Sequence, residues 1–167
     1  TRAPREGEVD GESYFFLTKE KFSEMIGQGG FLEYAQIYSN FYGTPKGPVM
    51  KYLEEGSDVI LEIEMQGARQ VKEMYPEAVL IFVLPPSLEE LRNRLTTRGT
   101  ETEEQVNERL STSLEEIKQV KDYNYFIFNE NNKTTESAKI IEDIIVAEKN
   151  KASRYEKAII KKFEEEL

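Results

Sequence analysis

The chain has no cysteine and no histidine among its 167 residues. Without cysteine there is no disulfide, no thiolate nucleophile and no cysteine-based zinc site. Without histidine there is no imidazole acid–base chemistry, no Ser-His-Asp or Cys-His constellation and no histidine metal ligand. Long apolar runs are missing as well. The longest near-continuous one, Val79 to Leu84, is too short for a membrane span. No signal-peptide pattern opens the sequence, so a cytoplasmic location is the expectation. Positive charge is in deficit: 22 Lys and Arg stand against 32 Asp and Glu, for a net charge of −10. That is the wrong sign for coating a duplex, so neither nucleic acid nor membrane is expected as a partner. Any chemistry must run on carboxylates, lysine, arginine, tyrosine, hydroxyls and backbone dipoles.

What is present is one domain's worth of chain, long enough to bury roughly 70% of its unfolded surface. Three apolar runs read as buried strands: Asp58 to Ile63, Ala78 to Leu84, and Tyr125 to Phe128. The first two are almost continuous in Val, Ile, Leu and Phe, which suits parallel strands covered on both faces. Helical patterns follow each. Ser87 with Glu90, just after two prolines, forms one capping box, and Leu88, Leu91 and Leu95 mark its helix face. Thr102 with Gln105 forms a second, leading to Val106, Leu110, Leu114 and Ile117. Ala138, Ile141 and Ile145 mark a third helix. This alternation predicts an α/β fold with parallel strands.

The first 57 residues differ. They are dense in aromatics and predict short strands around Tyr14 to Leu17, Phe31 to Ile37 and Phe41 to Gly43. A helix from about Thr18 to Ile26 is ended by the glycines of residues 27–30, and another from Thr44 or Pro45 stops at Gly56. Together they read as a small α+β subdomain. At the other end, residues 151–167 read as a charged helix whose Ala152, Tyr155, Ile159 and Phe163 line one face. Packing on its own domain is the plainer role for that face, and a subunit contact the sharper one.

Several polar groups stand out. Arg2 and Arg5 flank a proline, with Tyr14 nine residues on, and guanidinium forks suit phosphate oxygens. The same residues also fit a solvated loop. Tyr42 and Thr44, two apart in a strand, share a side, with Glu33 upstream. A hairpin with a capped helix after it would equally place them. Arg94 and Arg98 share a helix face, and the next capped helix brings in Arg109, although nearby glutamates could answer these charges on a plain surface. Glu62 and Glu64 lie at the carboxyl end of a predicted parallel strand, where open α/β sheets bind ligands. Two carboxylates on a buried strand call for a partner.

The order of these motifs is far more specific than any one of them. T-R-A-P-R-x-G-E, Tyr14, F-L-E-Y-A, N-F-Y-G-T-P, L-E-I-E-M-Q-G, P-P-S-L-E-E-L and R-G-T-E-T-E-E follow one another from Thr1 toward Lys149. The sequence in this order strongly resembles the guanylate kinase family. The resemblance implies a P-loop kinase-type parallel sheet flanked by helices, with an inserted GMP-binding subdomain and a helical lid. It divides the chain into a GMP subdomain at 1–53, an α/β core at 54–90 and 121–150, a lid at 91–120 and a C-terminal helix at 151–167. The implied reaction moves the γ-phosphoryl group of ATP to GMP, with Mg²⁺ accompanying ATP.

By the same resemblance, Arg2, Arg5, Tyr14 and Tyr42 grip the GMP phosphate. Glu33 reads guanine, whose N1–H and 2-amino group offer two donors to its two acceptors, and Thr44 contacts the base near O6. Adenine would leave the carboxylate unpaired, at roughly 1–3 kcal/mol or more. Glu62 and Glu64 match an acidic pair that meets base, ribose or hydrated Mg²⁺; many family members carry aspartate there. Arg94, Arg98 and Arg109 match lid arginines over the transferring group, with Arg94 and Arg98 also on ATP, and Asn129 matches a position near adenine. No general base is required, because the accepting phosphate is already largely dianionic. The family pattern begins with a strand and a G-x-x-x-x-G-K-[ST] loop, and this sequence starts inside the motif that follows them. On that reading the ATP loop, the first core strand and a hydroxyl just before Thr1 are missing, and the 167 residues alone are expected to be inactive. A non-catalytic, peptide-binding module of the same fold is the main alternative. Another nucleoside monophosphate kinase is a third, against which Glu33 with Thr44 argues. Oligomeric state is not legible.

Overall fold

An antiparallel hairpin organises the first part of the chain. The structure, a computed structural model, describes residues 1–97 and 102–166. Strand β1 (Phe31–Ile37) pairs with β2 (Asn40–Pro45) through a two-residue turn at Tyr38 and Ser39. A bulge between Phe31 and Glu33 resets the register so that Glu33 faces Thr44 directly across the ladder. Helix α1 (Lys19–Gly27) starts where the Thr18 hydroxyl accepts from the Lys21 amide at 3.2 Å. It buries Phe22, whose ring stacks on Phe31 at 4.3 Å and on Phe41 at 5.7 Å. Gly43 is needed under this cluster. A Cβ there would stand 2.9 Å from the Phe31 ring, 3.0 Å from the Glu33 carbonyl oxygen and 3.1 Å from the Phe22 ring.

Pro45 leads straight into α2 (Lys46–Glu54), because its fixed φ suits a helix start and it has no N–H to satisfy. Val49 of α2 meets Leu32 of β1 and Val71 of α3 (Met65–Met74) in a buried core. Val59, Leu61, Ile63, Tyr75 and Ala78 pack around it. The expected strand at 58–63 is therefore present as packing but not as a ladder. Its odd-numbered apolar residues point inward, yet no strand hydrogen-bonds to it among the described residues. A strand is defined by that ladder rather than by hydrophobicity. Likewise the expected strand at Tyr14 to Leu17 is reduced to one isolated bridge between Asp10 and Tyr14. These elements belong to a compact unit, Thr1–Leu80.

The second unit runs from Ile81 to Leu167. Strands β3 (Ile81–Leu84) and β4 (Tyr125–Phe128) pair in parallel, as the alternation predicts. The Asn129 amide extends the ladder to the Leu84 carbonyl at 2.7 Å. The ladder opens at Ile81 rather than Ala78 because its partner opens at Tyr125. Among the described residues the expected cover on both faces is not seen: Ile127 is buried, whereas Val83, Phe126 and Phe128 are half exposed. Between the strands lie α4 (Leu88–Thr97), α5 (Glu103–Ile117) and a 3₁₀ turn (Lys118–Asp122). Thr102 and Gln105 form the expected reciprocal capping box on α5, and the Glu90 amide donates to the Ser87 hydroxyl at 3.1 Å. After β4 come α6 (Thr134–Lys149) and α7 (Ala152–Glu164).

Helix α7 does not bury the face expected of it. Tyr155, Ile159 and Phe163 are exposed, and no α7 residue is buried. Its attachment is ionic instead. The buried Glu148 of α6 accepts from Arg154 at 2.7 Å, from Lys151 at 3.2 Å and from the Tyr125 hydroxyl at 2.8 Å. Arg154 and then Tyr125 hold the Glu148 carboxyl down at about 2. No described helix is long and apolar enough to cross a membrane.

Candidate functional site

Two groups of the expected residues meet on the first unit. Thr1 docks the opening segment on β2, its hydroxyl accepting from the Phe41 amide at 2.9 Å. Arg2 then lies beside the aromatics, with its guanidinium carbon 5.2 Å from the Tyr14 ring centre and 5.7 Å from that of Phe16. Both of its terminal nitrogens donate to Glu8, each at 2.6 Å, and the Arg5 amide donates to the same carboxylate at 2.7 Å. These bonds hold the Glu8 carboxyl at about 2. Glu8, and more weakly Tyr42 and Tyr14, raise the pKa of Arg2 and keep its cation in place. Arg5 and Tyr14 are exposed. The result is a fixed guanidinium with a second arginine and two phenols in the same segment and hairpin, a donor set suited to a phosphate.

Two residues along β2 from Tyr42, Thr44 carries the second group. The Thr44 hydroxyl donates to Glu33 Oε1 at 2.6 Å, across the register pair described above. Glu33 is only 4% exposed, an unusual place for a carboxylate. Its other oxygen lies on Gly67, in the first turn of α3. A Cβ built at Gly67 would run into Oε2 and stand 2.8 Å from Cδ. Helix α3 is held at this height by Gln70. Its amide nitrogen donates to the Tyr34 carbonyl at 2.7 Å, and its oxygen accepts from the Tyr34 amide at 3.2 Å. A side-chain amide thus pairs with β1 as a neighbouring strand would.

Glu62 and Glu64 are exposed, on the outward side of the segment whose Leu61 and Ile63 face the core. The expectation that burial forces a partner on them fails, because the carboxylates are not buried. Glu64 is also the extended residue immediately before α3.

In the second unit, Arg94 and Asn129 come together. Arg94 Nε donates to Glu90 at 2.7 Å, and Nη2 donates to the Asn129 carbonyl at 2.7 Å and to Asn131 Oδ1 at 3.0 Å. Arg94 and then Asn131 lower the Glu90 pKa. Helix α4 is tied to α5 by Arg92, whose guanidinium donates to Asn107 at 2.6 Å. Arg109 lies on α5, half-buried. Arg98 falls outside the described residues.

Sequence reasoning missed three residues here. Glu8 stood only as the last letter of the T-R-A-P-R-x-G-E motif, with no role given to it. Gln70 gave no signal. Gly67 gave a weak one, since glycine is a poor helix former and its presence within α3 points to a close approach.

The comparisons agree with the motif order. The guanylate kinase family model matches residues 1–148. The guanylate kinase of Clostridioides difficile (strain 630) is 67% identical over 167 residues, covering 100% of this chain and 80% of that protein. The guanylate kinase of Clostridium tetani (strain Massachusetts / E88) is 50% identical over 160 residues, 96% of this chain and 76% of the relative. The crystal structure of guanylate kinase from Anaplasma phagocytophilum matches with a TM-score of 0.75 at 36% identity, over 90% of this chain and 73% of that one.

Proposed function

Because the chain belongs to the guanylate kinase family, we propose that it transfers the γ-phosphoryl group of ATP to GMP, giving ADP and GDP, with guanine read by Glu33. One observation carries the reading. A buried carboxylate is held by a threonine hydroxyl two residues along β2 from Tyr42 of the Arg2, Tyr14 and Tyr42 group. The first can take the two donors of guanine's N1 and 2-amino edge. The second can take the nucleotide's phosphate.

The roles follow from chemistry. Arg2, pre-set by Glu8, and Arg5 neutralise the accepting phosphate and orient it. Tyr14 and Tyr42 add neutral donors. Arg94, Arg98 and Arg109 stabilise charge on the transferring group and on the ATP phosphates, while Asn129 serves the adenine side. In this division 1–53 forms the GMP subdomain, 54–90 and 121–150 the core, 91–120 the lid and 151–167 an appended helix. Among the described residues no cluster of three acidic, His or Cys side chains could cage a metal. That suits Mg²⁺, which such sites hold through nucleotide phosphates and water with one or two carboxylates. The exposed oxygen donors Glu62 and Glu64 fit that part. Mg²⁺ bound there would neutralise phosphate charge. ATP and GMP are cytoplasmic nucleotides, and the protein is assigned to that compartment with them.

Calorimetric titration of the full chain with GMP, with AMP as control, tests the reading. GMP is expected to bind and AMP not. Glu33→Gln is expected to weaken GMP binding by about tenfold or more, the scale of a lost charge-assisted bond. An unchanged GMP-over-AMP preference in Glu33→Gln removes Glu33 from this role.

A further inference from the structure

We propose that Gly67 is a specificity-determining residue, which acts by seating the Glu33 carboxylate on the first turn of α3 and so setting the direction in which its two oxygens face a base. The proposal rests on Glu33 being the guanine reader. Gly67 is buried, and the three atoms nearest to a Cβ built there all belong to Glu33: Oε2, Cδ at 2.8 Å and Cγ at 3.3 Å. The backbone does not ask for glycine. Gly67 has no positive φ, and glycine weakens a helix relative to alanine. The Glu33 side chain is what lies closest in that space. The seat is stiff from both sides. Thr44 holds Oε1 at 2.6 Å, and Gln70, three residues after Gly67 on the same helix face, fixes α3 to the backbone of Tyr34, the neighbour of Glu33.

A methyl group at Gly67 meets the end of a side chain rather than backbone. The fold can absorb it, and the carboxylate cannot stay where it is. The expected defect is therefore in base selectivity rather than in folding. IMP reads it out, since hypoxanthine keeps N1–H and O6 but lacks the 2-amino donor. A carboxylate aimed correctly distinguishes GMP from IMP, and a displaced one does not. General loosening would weaken both ligands alike.

The experiment titrates the full chain with GMP and IMP for wild type, Gly67→Ala and Glu33→Gln, with thermal unfolding of each free protein. Wild type is expected to prefer GMP by about tenfold or more, the scale of one lost charge-assisted hydrogen bond. Gly67→Ala is expected to bring the ratio within about threefold of unity, chiefly through GMP, with an undiminished unfolding midpoint. If Glu33→Gln lowers the ratio and Gly67→Ala keeps it, the proposal is overturned while the reader stands. If Glu33→Gln leaves the ratio unchanged, the reader is wrong and the proposal falls with it. Should Gly67→Ala not fold, the same substitution is made in Glu33→Asp, whose carboxylate is one methylene shorter and clears the methyl. Folding is then expected, with no further loss of GMP affinity relative to Glu33→Asp alone. A further loss there overturns the proposal.

Discussion

Arg2 and Glu8 form the tightest pair at the candidate phosphate site, with both guanidinium bonds at 2.6 Å. The carboxyl of Glu8 sits at about 2, below its ordinary 4.5, chiefly through the hydrogen bonds from Arg2. A depressed folded pKa means that the ionised form favours the native state. That contribution is complete above pH 4.5 and fades as pH falls toward about 2. Glu8→Gln is thus expected to be less stable than wild type in urea at pH 7, with the gap closing between pH 4.5 and 2. A gap independent of pH would mean that packing, not charge, accounts for it. At this scale the sequence is half legible. Arginines beside a proline announce an anion site, but nothing in a string of acids tells which one will clasp Arg2. That choice is made by the turn at residues 5–8, where the Arg5 amide and the Arg2 fork converge on one carboxylate.

Elements with local determinants were legible almost to the residue. The helix behind Thr102 and Gln105 appears where its capping box predicts it. Thr102→Ala should cost about 1 kcal/mol, the usual worth of such a cap, measured by urea unfolding. Gly43→Ala should cost more, about 1–3 kcal/mol for overpacking, since Phe22, Phe31 and the Glu33 carbonyl leave no room. A neutral result would show that the aromatic stack gives way. Elements with distant determinants were not legible. The segment 58–63 has a strand's composition, but a ladder needs a partner strand, and none pairs with it among the described residues. Gln70 replaces a strand at the edge of β1, a role that no propensity encodes.

At the scale of the whole molecule, the two units predict a division of labour. A ligand at about one hundred times its Kd stabilises the state that binds it by about 2.7 kcal/mol. GMP should therefore slow amide hydrogen exchange within Thr1–Leu80, above all in β1, β2 and the start of α3, and leave α7 unchanged. Protection centred on the second unit would move the acceptor site there. Helix α7 also shows what periodicity leaves open. Tyr155, Ile159 and Phe163 repeat at helical spacing whether or not anything covers them. Its ionic joint at Glu148 weakens as pH falls from 4.5 toward about 2, by the same sign argument.

The bond between Thr44 and Glu33 has one more consequence, which concerns protons rather than positions. A hydroxyl has a single hydrogen to give. While Thr44 gives it to Oε1, the oxygen of Thr44 shows only lone pairs to anything that enters. If the hydroxyl turns toward a carbonyl such as O6 of guanine, Glu33 recovers an open acceptor in the same movement. One rotation thus readies both residues, and a ligand that brings a carbonyl and two N–H donors together is the one that completes the exchange. Adenine brings an acceptor at N1 and no carbonyl, so the rotation would leave a buried carboxylate bare. On the proposed function, the threonine would thus be turned aside only by the base that can replace what it takes away.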